Sequence, residues 1–211
     1  MLKKSFCFIL IFFCTGLIFG GTIKNYTADQ VETQSNVLIS KVYAVDNKFR
    51  METFDERGAL EYFFIIREDQ NKMYVFQVGS RTYTEQPIEQ NNLTYYDQIM
   101  SIQQSFQQHI PGSTMEIKQQ KLGTTETVLG YKTEKYSVTV TYEMFGQKLP
   151  GFIYYWWVAP EFDMPVRIQA QAQIFEAFEM TFELRNIKTA SSPASLFEIP
   201  AGYAKTENME Y

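Results

Sequence analysis

Residues 166–185 read VRIQAQAQIFEAFEMTFELR, and their alternation decides the fold class. Val166, Ile168, Ala170, Ala172 and Ile174 fall on one side of an extended chain, with Arg167, Gln169, Gln171 and Gln173 on the other. The pattern then resumes, setting Phe178, Met180, Phe182 and Leu184 against Glu179, Thr181, Glu183 and Arg185. A period of two with one wet face marks antiparallel strands that cover a core on one side. Tyr136, Val138, Val140 and Tyr142 alternate in the same way with Ser137, Thr139, Thr141 and Glu143.

Working outward, turn residues punctuate further strands. Asp46-Asn47 separates Val37–Val45 from Phe49–Phe54, and Arg57-Gly58 precedes Tyr62–Ile66. Gln70-Asn71 separates that strand from Met73–Val78, and Gly79-Ser80 precedes Thr82–Glu85. Such Asn, Asp and Gly pairs supply the left-handed backbone that tight hairpins need. Gly123 and Gly130 break the run from Thr114 to Tyr142. Phe152 to Val158 is apolar or aromatic on both faces, which predicts a strand covered on both sides. The total is about ten to twelve strands.

One segment departs from this period. Between Pro87 and Pro111, the residues Tyr95, Ile99, Ile102, Phe106 and Ile110 recur at spacings of three and four. That predicts one amphipathic helix of about 17 residues, stopped by Pro111-Gly112, whose apolar stripe lies on the sheet. No charge run, linker or fixed repeat divides the chain, so a single domain is expected over residues 21–211.

Composition narrows the function classes. Of 211 residues, 45% are hydrophobic and 20% charged, a globular ratio that excludes a disordered chain. Nineteen basic residues against 24 acidic ones leave no dominant nucleic-acid footprint. The amino terminus carries Lys3 and Lys4, then an apolar run from Phe6 to Ile18, then Gly20-Gly21. This is the pattern of a cleaved secretory signal over residues 1–20, and the run is too short for a permanent span; an uncleaved anchor is the alternative. Cys7 and Cys14 both lie inside it, so no disulfide is expected in the exported chain. With Lys3 and Lys4 removed, 17 basic residues remain against 24 acidic ones, a net charge of −7. That charge favours solubility and argues against attachment to anionic lipid.

Catalytic patterns are sparse. His109 is the only histidine, and its place beside Pro111 reads as a helix end rather than a general base. Glu61, Glu116, Glu126 and Glu134 could form a carboxylate pair, yet they alternate with apolar residues as a solvated face does. Tyr154-Tyr155-Trp156-Trp157 could stack a ligand, but a buried central strand explains it better. No phosphate loop, dinucleotide fingerprint or calcium loop is present. The sequence therefore assigns no catalytic residue, no metal and no cofactor.

Several stretches together resemble the LolA/LolB lipoprotein-carrier superfamily of bacterial envelopes, especially its uncharacterised periplasmic relatives. They are Trp157-Val158-Ala159-Pro160, Asp163-Met164-Pro165-Val166-Arg167, and the closing run Leu196-Phe197-Glu198-Ile199-Pro200-Ala201-Gly202-Tyr203. Tyr26-Thr27-Ala28-Asp29, Lys48-Phe49-Arg50-Met51-Glu52, Thr82-Tyr83 and the stretch from Gly123 to Tyr136 support it in the same order. The resemblance implies an unclosed antiparallel β-barrel, a half-barrel folded over a hydrophobic cavity with a helical lid. It implies acyl chains as cargo, held without catalysis, and an early-strand Arg50 that braces the lid. On that plan Val138, Val140, Val166, Ile168, Phe178, Met180 and Phe182 line the cavity. Ile99, Ile102 and Phe106 form the lid helix. Two departures are evident: only about five residues precede Tyr26 after cleavage, where carriers have a first helix, and no acylated Cys is present.

The expectation is thus a monomeric, soluble periplasmic carrier or binder of lipid or an acylated protein, with room for a partner protein of the envelope. Against it stand a structural or sensing module with a filled core, an outer-membrane β-barrel and, last, an enzyme.

Overall fold

The structure is a computed structural model that describes residues 25–87, 113–144, 146–162, 164–173 and 179–207. The predicted signal and the predicted lid helix lie outside these residues. Twelve strands are described: β1 (Tyr26–Glu32), β2 (Val37–Val45), β3 (Lys48–Phe54), β4 (Leu60–Arg67), β5 (Lys72–Gln77), β6 (Thr82–Pro87), β7 (Ser113–Val128), β8 (Tyr131–Met144), β9 (Gln147–Ala159), β10 (Met164–Ala172), β11 (Glu179–Lys188) and β12 (Ala204–Lys205). The only helical elements among the described residues are two short 3-10 turns, Glu68–Gln70 and Ala194–Phe197.

The hydrogen-bonded order is β12-β6-β5-β4-β3-β2-β1-β11-β10-β9-β8-β7. It is open, since β12 and β7 stand at opposite ends of the order. The described ladders are antiparallel apart from β12, which runs parallel to β6. The strands fall into two compact units, one from residues 25–87 with 184–207 and one from residues 113–183.

In the unit of residues 25–87 and 184–207, the predicted turns hold. Asp46 (φ 50°) and Asn71 (φ 55°) adopt the left-handed backbone that reverses β2 into β3 and starts β5. One sheet face carries an aromatic cluster of Phe63, Ile65, Tyr74 and Phe76, closed by Phe197 from the carboxy-terminal segment. Phe63 and Phe76 stack at 4.3 Å between centroids, and the Tyr203 ring meets both edge-on at 5.7 and 5.3 Å. Gly202, at φ 88°, makes the bend that brings Tyr203 back to the cluster that Phe197 fills. The opposite face is buried as well, through Tyr26, Ala28, Val42, Ala44, Phe49, Met51 and Ile66.

In the unit of residues 113–183, β9 is the middle strand, between β8 and β10. Gly123 does not end a strand, contrary to the sequence reading. It sits at φ 70° inside β7, where the register against β8 shifts between Lys121 and Thr125. A left-handed glycine that lets a long strand bulge and continue leaves the same local signature as a turn. Gly130, by contrast, forms the hairpin with Leu129, at φ 86° and 53°.

Candidate functional site

The residues expected to line a cavity are largely brought together on one face of the 113–183 sheet. Val138 pairs with Tyr154, Tyr154 with Ala170, and Ala170 with Met180. The adjacent row is Tyr136, Trp156, Ile168 and Phe182, and the row beyond Val138 is Val140, Phe152 and Ala172. Directly opposed residues in antiparallel strands point to the same side, so these rows form one continuous apolar face. Val138, Val140, Ile168 and Phe182 are buried and Met180 is half-buried. Val166 is also fully buried, but it lies at a bulge between Pro165 and Arg167. Phe178, Ile99, Ile102 and Phe106 lie outside the described residues.

The sequence reading left out the strand at the centre of this face. Phe152, Tyr154 and Trp156 all project onto it from β9, with Tyr154 and Trp156 each 1% exposed. Their own period of two was the available signal. At the end of the face Tyr142 packs against Gly151, where an added Cβ would come within 2.7 Å of the Tyr142 ring. Burial pushes the Tyr142 phenol up to about 12. The Tyr136 phenol is also raised, by burial and by its hydrogen bond to Glu134. Both phenols therefore stay neutral at physiological pH, and beside Tyr136 stands the Lys121–Glu134 ion pair.

The reverse side of β9 was also expected to be covered. Trp157 is buried there, beneath long cationic side chains. Lys135 Nζ lies 4.4 Å from its ring and the Arg167 guanidinium 5.6 Å, while Trp157 Nε1 donates to Glu126 Oε2 at 2.9 Å. Arg167 in turn donates through Nε and Nη2 to Glu183 Oε1 at 2.9 and 2.8 Å. Aliphatic stems and cation–π contacts cover the indole on this side.

A second arrangement lies in the unit of residues 25–87 and 184–207. Two buried arginines clasp the carboxy-terminal segment. Arg50 donates to the Leu196 carbonyl oxygen and, through Nε and Nη2, to Glu52 Oε1. Arg67 donates to the Phe197 carbonyl oxygen and to Glu198 Oε1, and it is held from behind by both oxygens of Asp69. The hydrogen bond to Arg67 and its charge keep the Asp69 carboxyl below the usual range. Arg50 thus braces the closing run from Leu196 to Tyr203. Arg67, which the sequence reading did not single out, does the same one residue further along the segment. Among the described residues no group of three His, Cys, Asp or Glu could hold a metal ion, and no helix is long and apolar enough to cross a membrane.

No protein-family model matches the chain, and no curated protein matches it in sequence. Solved structures do. The chain is similar to an uncharacterized conserved protein from Thermus thermophilus, with 14% identity and a TM-score of 0.51, over 96% of this chain and 98% of that one. It is also similar to a LolA superfamily protein from Nitrosomonas europaea, with 8% identity and a TM-score of 0.33, over 90% of this chain and 96% of that one. At these identities the likeness to the Thermus protein establishes a shared fold, and the fold alone.

Proposed function

We propose that this chain is an exported, non-catalytic binder or carrier of an acyl chain or similar apolar ligand in the bacterial envelope. The observation that carries this reading is the apolar face from Val140 and Phe152 to Ile168 and Phe182, which carries no charged residue across β8 to β11, with Lys121 of β7 standing at the end of the Tyr136 row. The sequence resemblance to lipoprotein carriers supports the same reading and gives the ligand class. Burying about ten methylenes at about 0.8 kcal/mol each is the scale that micromolar binding, about −8 kcal/mol, requires before ordering costs. The test is mass spectrometry of organic extracts from the native protein, followed by titration with a fluorescent fatty acyl probe. Ile168→Trp is expected to block uptake of the probe and leave the fold intact.

One observation favours a different reading, a structural or sensing module with a filled core. Tyr154 and Trp156 occupy the centre of the apolar face and are almost fully buried. If they fill the space, Ile168→Trp overpacks it and costs about 1–3 kcal/mol of stability. Absence of probe uptake together with that loss would overturn the carrier reading.

A further inference from the structure

The unit of residues 25–87 and 184–207 carries a buried polar pair that its own structure does not satisfy. On the sheet face opposite the aromatic cluster, Gln30 of β1 lies directly across from Ser40 of β2, and Ser40 from Thr53 of β3. They are 3%, 1% and 2% exposed. Gln30 Oε1 and Ser40 Oγ have no hydrogen-bond partner among the described residues. The ladder is irregular there, since the register shifts between Gln30 and Val31. Bulges of this kind often re-aim side chains beside a binding site. An orphaned buried polar atom costs about 1–3 kcal/mol, so two side by side call for a partner.

The surroundings define that partner. The next two rows of the face are Ala28, Val42, Met51, Phe64 and Val75, then Tyr26, Ala44, Phe49, Ile66 and Met73. The row of Gln30 itself continues through Tyr62 to Gln77. None of these three rows contains a charged residue. Gln30 Oε1 can only accept, whereas the Ser40 hydroxyl can donate. A single hydroxyl group satisfies both at once, by donating to Gln30 and accepting from Ser40. A carboxylate can accept from Ser40 but has no proton to give to Gln30 Oε1, and these rows offer its charge no cation.

We infer that Gln30 and Ser40 form a recognition point for the hydroxyl head of a neutral amphiphile, an acylglycerol or fatty alcohol rather than an ionised fatty acid. The inference goes beyond the carrier reading, because it concerns residues of the other unit and a head group rather than a tail.

The experiment compares 1-monolauroylglycerol with laurate at pH 8 by titration calorimetry, on the delipidated chain and on the double variant Gln30→Leu/Ser40→Ala. The native chain is expected to bind the monoacylglycerol at least about tenfold more tightly than laurate, and the double variant to lose that preference. Removing two orphaned groups is also expected to leave the melting temperature of the ligand-free chain unchanged or raised. A lowered melting temperature would mean that the pair is satisfied within the protein or by a buried water only, and would overturn the inference. So would equal affinity of the native chain for the two lipids, or no binding of the monoacylglycerol. If the acyl probe still binds and is blocked by Ile168→Trp, those results leave the carrier reading standing.

Discussion

The Arg50 guanidinium lies 4.0 Å from the centroid of Phe63, on the aromatic face, while its Nη1 donates at 3.0 Å to the carbonyl oxygen of Leu196. One side chain thus joins an early strand to the carboxy-terminal segment, 146 positions away. The side chain is 8% exposed and that of its partner Glu52 15%, so solvent screens the pair little. Removing one member of such a pair strands the other. Arg50→Ala is expected to cost about 3 kcal/mol in chemical denaturation. Arg50→Lys should recover only part of this, because an ammonium cannot serve Glu52 and Leu196 with a planar fork. Glu198→Ala, which removes a 60% exposed partner of Arg67, should stay within about 1 kcal/mol of the native chain. Equal losses from Arg50→Ala and Glu198→Ala would show that the clasp is not what holds the segment.

Gly151 carries the tightest approach among the described glycines. A Cβ there would sit 2.5 Å from the Val140 carbonyl oxygen and 2.7 Å from the Tyr142 ring. The first is backbone and cannot swing away. Gly151→Ala is therefore expected to destabilise by about 1–3 kcal/mol, as overpacking does. Gly79→Ala, where nothing lies within 4 Å, should be neutral or slightly stabilising. Thermal melting of the two variants side by side checks both.

Much of this fold is legible because its signals are local. The alternation of β10 and β11 and the turns at Asp46, Gly58 and Asn71 each occupy a few consecutive residues, and the strands stand where those residues placed them. The apolar face was legible for the same reason, as Val138, Ile168 and Phe182 declare their side by parity. What stayed hidden is contact across long separations. Nothing near Arg67 announces a bond to a carbonyl 130 positions later, and nothing near Trp157 tells that Lys135 and Arg167 cover it. Gly123 misled because a bulge and a turn both need a left-handed residue. Nothing in the sequence marks Gln30 and Ser40 as buried, since a polar residue in a strand gives no sign that its face is covered.

Face assignment in the 113–183 sheet gives a sharp contrast on β11. Phe182 is 3% exposed on the apolar face beside Ile168. Phe182→Asp buries a carboxylate opposite the apolar Ile168 and should cost more than about 3 kcal/mol. Glu183 points to the other side and pairs with Arg167, whose side chain is 33% exposed. Glu183→Gln keeps a hydrogen-bond acceptor there and should cost within about 1 kcal/mol. Similar losses from the two substitutions, measured by urea unfolding, would mean that the faces are exchanged.

Glu32 links stability to pH. It ends β1 with its carboxylate buried, accepting from the backbone N–H groups of Gln34 and Ser35 at 2.8 and 2.7 Å and from the Ser35 hydroxyl. These bonds shape the turn in which Asn36 takes a φ of 56°. Burial alone would raise the carboxyl, but the three hydrogen bonds to its charged form outweigh burial and hold it below its ordinary 4.5. A folded-state pKa below the unfolded one means that the unfolded chain binds the proton more readily. The contribution of Glu32 is therefore complete above pH 4.5 and lost as the pH falls through the depressed value. Glu32→Gln should lower stability at pH 7 and flatten the acid limb of the stability curve. The difference between native and variant chains should shrink steadily below pH 4.5. Denaturant midpoints measured from pH 7 downward test this, and a difference that stays constant across that range would show that the carboxylate charge plays no part in holding the turn.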